Sequence, residues 1–164
     1  MARVEADQDL QPSLLDRLQD DDPTRPDPVS RSRGQHLREL REAVRRDIEN
    51  LLNTRQRCLP PPPGLTELAV STVNYGIPDF SGVDLAAKDR REEFRRSVEE
   101  AIRRFEPRFV KVDVVMHEGG GTDGERTMRF RIDALMYADP APEPIVFDSV
   151  IDPGSRAVAV RNEG

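Results

Sequence analysis

The spacing of apolar residues changes partway along the chain. Over residues 35–54 they recur three and four positions apart, a spacing that predicts an amphipathic helix. A second stretch, from about Asp84 to Phe105, repeats this spacing. Arginine and glutamate fill most other positions of both stretches, which is typical of solvent-exposed helix faces. The apolar positions of the first helix are Leu37, Leu40, Val44, Ile48, Leu51 and Leu52, and those of the second are Phe94, Val98, Ala101, Ile102 and Phe105.

From Val110 onward the apolar period falls to two, which predicts β-strands. Two runs alternate in this way, at residues 110–116 and 128–136, and two further apolar runs, at residues 145–151 and 157–160, are also predicted to be strands. The glycine-rich segment 118–126 between the first two is typical of a hairpin loop; a phosphate cradle is disfavoured because no Lys-Ser/Thr pair follows it. Helices followed by an antiparallel meander predict an α+β fold, with N-terminal helices packed on a small antiparallel sheet.

The two halves meet at a proline corner. Pro107 disfavours helical geometry at Glu106, so the second helix should end at about Phe105 and turn at once into extended chain. Extended backbone from Glu106 to Arg108 would project both side chains from one side of a rigid corner. The pair is either a surface ion pair worth about 0–1 kcal/mol, or a feature presented to a partner.

The last strand is short and terminal, which places it at an edge of the predicted sheet. Unpaired strand edges accept a strand from another chain. We therefore predict a partner-binding edge around Val158 and Val160.

The first 29 residues differ from the rest because they are acidic and broken by prolines. We predict a tail over residues 1–29 and one domain over residues 30–164. Within the tail, residues 13–18 indicate a short helix that docks by Leu14, Leu15 and Leu18, although plain disorder is the alternative. The four prolines of residues 60–63 indicate a stiff polyproline spacer.

Composition narrows the function classes. The formal net charge of −6 argues against a general nucleic-acid binder. No apolar run approaches the roughly 18 residues that span a bilayer, and the N-terminus lacks the apolar core of a signal peptide, so we expect a cytoplasmic protein without membrane insertion. The one cysteine, Cys58, fits a reducing compartment and has no histidine or second cysteine nearby.

Catalytic patterns are weak. The two histidines, His36 and His117, lie in different contexts, and no metal-ligand set or Ser/His/Asp arrangement accompanies them. The many carboxylates leave the paired acids of a glycosidase open, but aromatic residues, which usually line sugar clefts, make up only 5% of the chain. We expect a protein that is not an enzyme and holds no cofactor.

Three motifs in this order carry a resemblance to a known family: residues 47–55 (DIENLLNTR), 74–80 (NYGIPDF) and 105–108 (FEPR). The chain resembles the TssE family of type VI secretion baseplate proteins, which is related to the Gp25-like baseplate wedge proteins of tailed phages. The resemblance covers roughly residues 13–160.

The resemblance implies a structural component of a large hetero-oligomeric baseplate docked at the bacterial inner membrane. It implies that Glu106, Pro107 and Arg108 dock on a wedge of TssF and TssG. It also implies that the sheet, similar to the strand-exchange domain of the sheath proteins TssB and TssC, templates sheath assembly, and TssK is a further expected partner. We expect Glu106→Ala and Arg108→Ala to leave folding nearly intact and to weaken wedge binding.

Two other functions stay open at this point. Some phage relatives carry a lysozyme label, so a muramidase-like hydrolase is one alternative. The other is a small adapter that binds a single client through its edge strand.

Overall fold

In a computed structural model, the residues that can be described are 33–59, 62–80, 87–117, 128–138, 142–152 and 157–163, together with Leu18 and Thr24. The glycine-rich loop, half of the proline run and nearly all of the predicted tail lie outside these residues. Leu18, one of the three leucines expected to dock the short helix of the tail, is 82% exposed and so does not dock; the rest of that predicted helix lies outside the described residues.

Two α-helices form where the apolar period predicted them. Helix α1 is Arg33–Asn53 and helix α2 is Lys88–Phe105. Helix α2 begins about four residues later than predicted because Ala87 before it has extended backbone (φ −72°, ψ 129°). Between them lie two 3-10 helices, Thr66–Val70 and Thr72–Asn74.

Four antiparallel strands follow in the order β1-β2-β3-β4. They are β1 (Phe109–His117), β2 (Met128–Met136), β3 (Glu143–Ile151) and β4 (Val158–Asn162). The predicted alternation is wrong at one position: the register shifts between Phe109 and Lys111, and this irregularity leaves the Val110 side chain 49% exposed.

Both helices pack on one face of this sheet, with α1 against β4 and α2 against β1. The predicted apolar stripes face the sheet, and Val44, Val98 and Phe130 are among the fully buried residues. The predicted α+β architecture is confirmed. Helix α1 thereby lies close to both places that the sequence singled out, the proline corner and the edge strand β4.

Candidate functional site

The proline corner is a tight turn. The Glu106 N–H makes the last helical hydrogen bond of α2, to the Ile102 carbonyl (2.9 Å), and the Phe109 N–H donates to the Glu106 carbonyl (3.3 Å). Glu106 therefore ends the helix as predicted, but the backbone over residues 106–108 turns where extended chain was expected. The two side chains still meet, because Arg108 folds back on Glu106: its Nε lies 2.6 Å from Glu106 Oε1, and its backbone N–H lies 3.2 Å from the same oxygen.

Helix α1 supplies a third charged group to this corner. Arg108 Nη2 donates to Asp47 Oδ2 over 2.6 Å and also to Glu106 Oε2. We call Asp47, Glu106 and Arg108 the corner triad. Sequence reasoning missed Asp47, although it carries a signal: it lies three residues after Val44 and four before Leu51, so it is a charge on the apolar stripe of α1.

The corner triad is buried to different depths. Glu106 is only 5% exposed, whereas the side chains of Arg108 and Asp47 are 27% and 38% exposed. Burial alone would lower the pKa of Arg108, but its hydrogen bonds and ion pairs with Glu106 and Asp47 outweigh burial and raise that pKa. With two carboxylates and one guanidinium, the ionised triad carries a net charge of −1. Because Glu106 is already buried in the isolated chain, we no longer expect its replacement by alanine to be harmless to folding.

A cavity of about 380 Å³ adjoins the corner triad. Its apolar wall includes Tyr75 and Phe105, whose rings meet edge to face with centroids 5.2 Å apart. Burial, together with the negative charges of Asp47 and Glu106, raises the pKa of Tyr75. The remaining lining residues are Leu40, Asn50, Pro107 and the corner triad. The site thus combines aromatic surface with excess negative charge.

A turn that only glycine fits holds Tyr75 in this wall. Gly76 has φ +109°, and a Cβ there would lie 2.4 Å from the Thr54 carbonyl oxygen. This close approach lets the Ile77 N–H donate to the Thr54 carbonyl (3.0 Å) and the Gln56 N–H donate to the Ile77 carbonyl (2.9 Å). The turn at residues 74–80 is therefore packed against the end of α1.

The structure places Val158 and Val160 at the sheet edge but does not bring them near the corner triad. Both side chains are buried in the core. Asn53 contacts both backbone polar groups of Val158: its Oδ1 accepts from the N–H (2.9 Å) and its Nδ2 donates to the carbonyl (2.8 Å).

Two more residues of α1 repeat this pattern at Val160. The Val160 N–H donates to Glu49 Oε1 (3.3 Å), and Arg45 Nη1 donates to the Val160 carbonyl (3.1 Å). Arg45, Glu49 and Asn53 lie four residues apart and therefore on one stripe of the helix. We call them the edge cap, because they occupy the backbone groups that a partner strand would use.

The rest of the described chain offers little other chemistry. No group of three or more histidine, cysteine or acidic residues with metal-binding geometry occurs within it. Neither described helix is both long and apolar enough to cross a lipid bilayer. Cys58 is a free, exposed cysteine.

Comparison of the sequence with known protein families gives a match, and the matched segment includes the proline corner. The family described as baseplate wedge protein gp25 matches residues 38–141, well over half of the 164 residues. No curated protein matches the chain. The matched segment runs from α1 to just beyond β2 and contains all of the corner triad, whereas β3 and β4 lie outside it. The chain therefore belongs to the gp25 family of baseplate wedge proteins.

Proposed function

We propose that this chain is a TssE-type wedge component of a type VI secretion baseplate and that it docks on TssF and TssG through its proline corner. The observation that carries the proposal is the corner triad: a nearly buried ion pair beside an open, aromatic-walled cavity. A partner that covers this cavity would bury Asp47 and Arg108 further while they stay hydrogen bonded to each other.

Two features support the corner as the docking site over other surfaces. It lies within the segment that matches the gp25 family, whose members are structural baseplate proteins. It is also rigid, because Glu106 is fixed both by the helix end and by two contacts from Arg108. A rigid, preorganised surface loses less conformational entropy when a partner binds.

Co-purification with TssF and TssG tests this role. Arg108→Lys keeps the positive charge but loses the forked contacts to Glu106 and Asp47, so we expect at least about tenfold weaker binding from the loss of an interaction worth about 1.4 kcal/mol. Glu93→Gln is the matched control, because Glu93 pairs with Arg90 on the exposed face of α2. Circular dichroism should show that both variants are folded. Undiminished recovery of the wedge with folded Arg108→Lys would refute the docking role.

The second part of the proposal concerns the sheath. We propose that a sheet edge pairs with a strand of TssB or TssC, and that pairing at Val158 and Val160 requires release of the edge cap. At the opposite edge, Arg103 Nη2 donates to the Val112 carbonyl of β1 (3.0 Å). By strand alternation the backbone groups of Val114 and Met116 also face outward, and within the described residues no side chain donates to or accepts from them.

A further inference from the structure

The cavity beside the corner triad has the charge and shape of a site for one cationic side chain. We infer that its occupant is an arginine of the docking partner, an inference that rests on the proposed docking role and names the chemistry of that same site. Three properties of the cavity support it: its charge, its walls and its size.

The charge of the cavity favours a cation. Arg108 is shared between two carboxylates, so one negative charge of the corner triad is not neutralised. Asp47 holds Arg108 through Oδ2, and within the described residues its other carboxylate oxygen has no protein donor. An anion is disfavoured, because Arg108, the one cation that lines the cavity among the described residues, already contacts Glu106 and Asp47. The raised pKa of Tyr75 is consistent with this, since the negative charges of both carboxylates reach the phenol.

The walls favour a planar cation. Tyr75 and Phe105 provide aromatic surface in the wall of the cavity, with Leu40 and Pro107 adding apolar area. A guanidinium group can stack on an aromatic ring and donate in a fork to a carboxylate at the same time, whereas an ammonium group is a compact, strongly hydrated charge. An arginine side chain can therefore contact the aromatic wall and a carboxylate of this cavity at the same time.

The size favours a side chain over a larger ligand. The volume of about 380 Å³ is near the lower limit of small-molecule pockets, roughly 300–1,000 Å³. Asn50 and Pro107 at the cavity are exposed, so the opening is reachable from solvent. A side chain projecting from a docked surface could enter without any movement of the core.

Three small probes test this inference on the full-length protein. n-Propylguanidinium carries the planar cation, n-propylammonium the compact cation, and N-propylurea is a neutral analogue of the first. Binding is followed by NMR chemical shifts of the backbone amides of Asn50, Tyr75 and Phe105. We expect saturable binding of n-propylguanidinium, weaker binding of n-propylammonium and no saturable shift with N-propylurea.

A matched pair of variants separates the site from general charge effects. Asp47→Asn should weaken n-propylguanidinium binding on the order of tenfold, as expected for loss of one close charge contact. Glu93→Gln removes the same charge from the exposed face of α2 and should leave binding unchanged. Equal binding of the urea, tighter binding of the ammonium, or an unaffected Asp47→Asn variant would overturn the inference.

The same proteins, tested for co-purification with TssF and TssG, distinguish failure of the inference from failure of the docking role. A wild-type chain that binds the wedge but does not prefer the guanidinium probe overturns the arginine site and leaves docking intact. A chain that prefers the guanidinium probe but does not bind the wedge supports the cation site and refutes docking at TssF and TssG.

Discussion

Helix α1 makes polar contacts with two distant parts of the chain, and the two contacts differ in what they leave unused. At the proline corner, Asp47 accepts from Arg108 beside a cavity, and among the described residues its second carboxylate oxygen has no protein donor. At the sheet edge, the edge cap contacts both the N–H and the carbonyl of Val158 and of Val160. The corner therefore has a carboxylate oxygen that can accept a further hydrogen bond. At Val158 and Val160 the outward backbone groups already have hydrogen-bond partners within the chain.

Under the proposed function, the corner is a binding surface and the capped edge is a protected one. A free strand edge pairs with other chains and promotes aggregation, so proteins commonly cover it. Here the cover consists of side chains on one helix stripe, which can be withdrawn more easily than a paired strand. The corner triad, in contrast, covers no strand edge, so protection against aggregation does not explain its buried charges. The following predictions test this contrast, beginning with the largest expected effect.

The corner should contribute most to stability through Glu106. Glu106→Ala leaves the Arg108 guanidinium partly buried with only Asp47 as a partner, and removing one member of a buried pair costs about 3–5 kcal/mol. We expect a loss of this size in the free energy of unfolding, measured by urea denaturation.

Asp47→Asn is the control for this loss. Asp47 is more exposed, and exposed ion pairs contribute only about 0–1 kcal/mol. If both variants lose the same small amount, the corner is an ordinary surface pair and the contrast with the edge fails.

The edge should show a smaller loss of stability and a specific change in protection. Asn53→Ala removes the two side-chain hydrogen bonds to Val158, each worth about 0.5–1.5 kcal/mol, and water can replace part of them. We expect a loss of about 1–2 kcal/mol and faster hydrogen exchange of the Val158 amide.

Asn50→Ala, one turn earlier on the same helix, is the matched control, and an exposed substitution of this kind should stay within about 0.5 kcal/mol. If releasing the edge matters for the sheath, Asn53→Ala should also increase pairing with TssB or TssC strands. Slow exchange at Val158 in Asn53→Ala would show that the edge cap does not protect the edge.

The smallest expected effects concern the pH dependence of stability. At the proline corner stability should fall at high pH, and at the sheet edge it should fall at low pH. Because the pKa of Tyr75 is raised by burial and by the two carboxylates, its contribution to stability is complete below about pH 10 and is lost as the pH rises through the folded-state value. A hydrogen bond from Arg45 lowers the pKa of Glu42, which also accepts from Asn162 of β4; its contribution is present above about pH 4.5 and is lost as the pH falls through its folded-state value.

Tyrosine absorbance in a Tyr137→Phe background isolates Tyr75, because the chain has two tyrosines. Asp47→Asn should lower the pKa of Tyr75 toward its ordinary value. Hydrogen exchange of the Val158 and Val160 amides, compared with core amides, reports the acid effect on the edge. An unchanged Tyr75 titration in Asp47→Asn would show that the carboxylate does not act on the cavity.

Most of the fold could be predicted from local pattern. The apolar periods located both helices and the first two strands, because burying one helix stripe and one sheet face imposes those periods directly, and short apolar runs located the other two strands. The end of α2 at Phe105 followed from the proline two residues later. Val110 was misassigned because the irregularity between Phe109 and Lys111 depends on the pairing of β1 with β2, which leaves no mark on the alternation of residues.

The candidate site was predictable only in part. Glu106 and Arg108 could be paired from their spacing around Pro107, although the backbone between them turns and is not extended. Asp47 could not be added, since it is 61 residues from Arg108 and only the packing of α1 against the corner joins them. The edge cap was missed for the same reason: Asn53 and Val158 are 105 residues apart.

The sequence by itself determined the elements, their order, the α+β class and the place where helix gives way to sheet, because these follow from residue-by-residue backbone preference and from periodic burial. The tertiary structure alone decided which polar groups find partners. Hydrogen bonds and ion pairs act over a few ångströms in space regardless of separation along the chain, so only the folded arrangement shows that α1 closes β4 at Val158 and Val160 and leaves a carboxylate oxygen available at the corner.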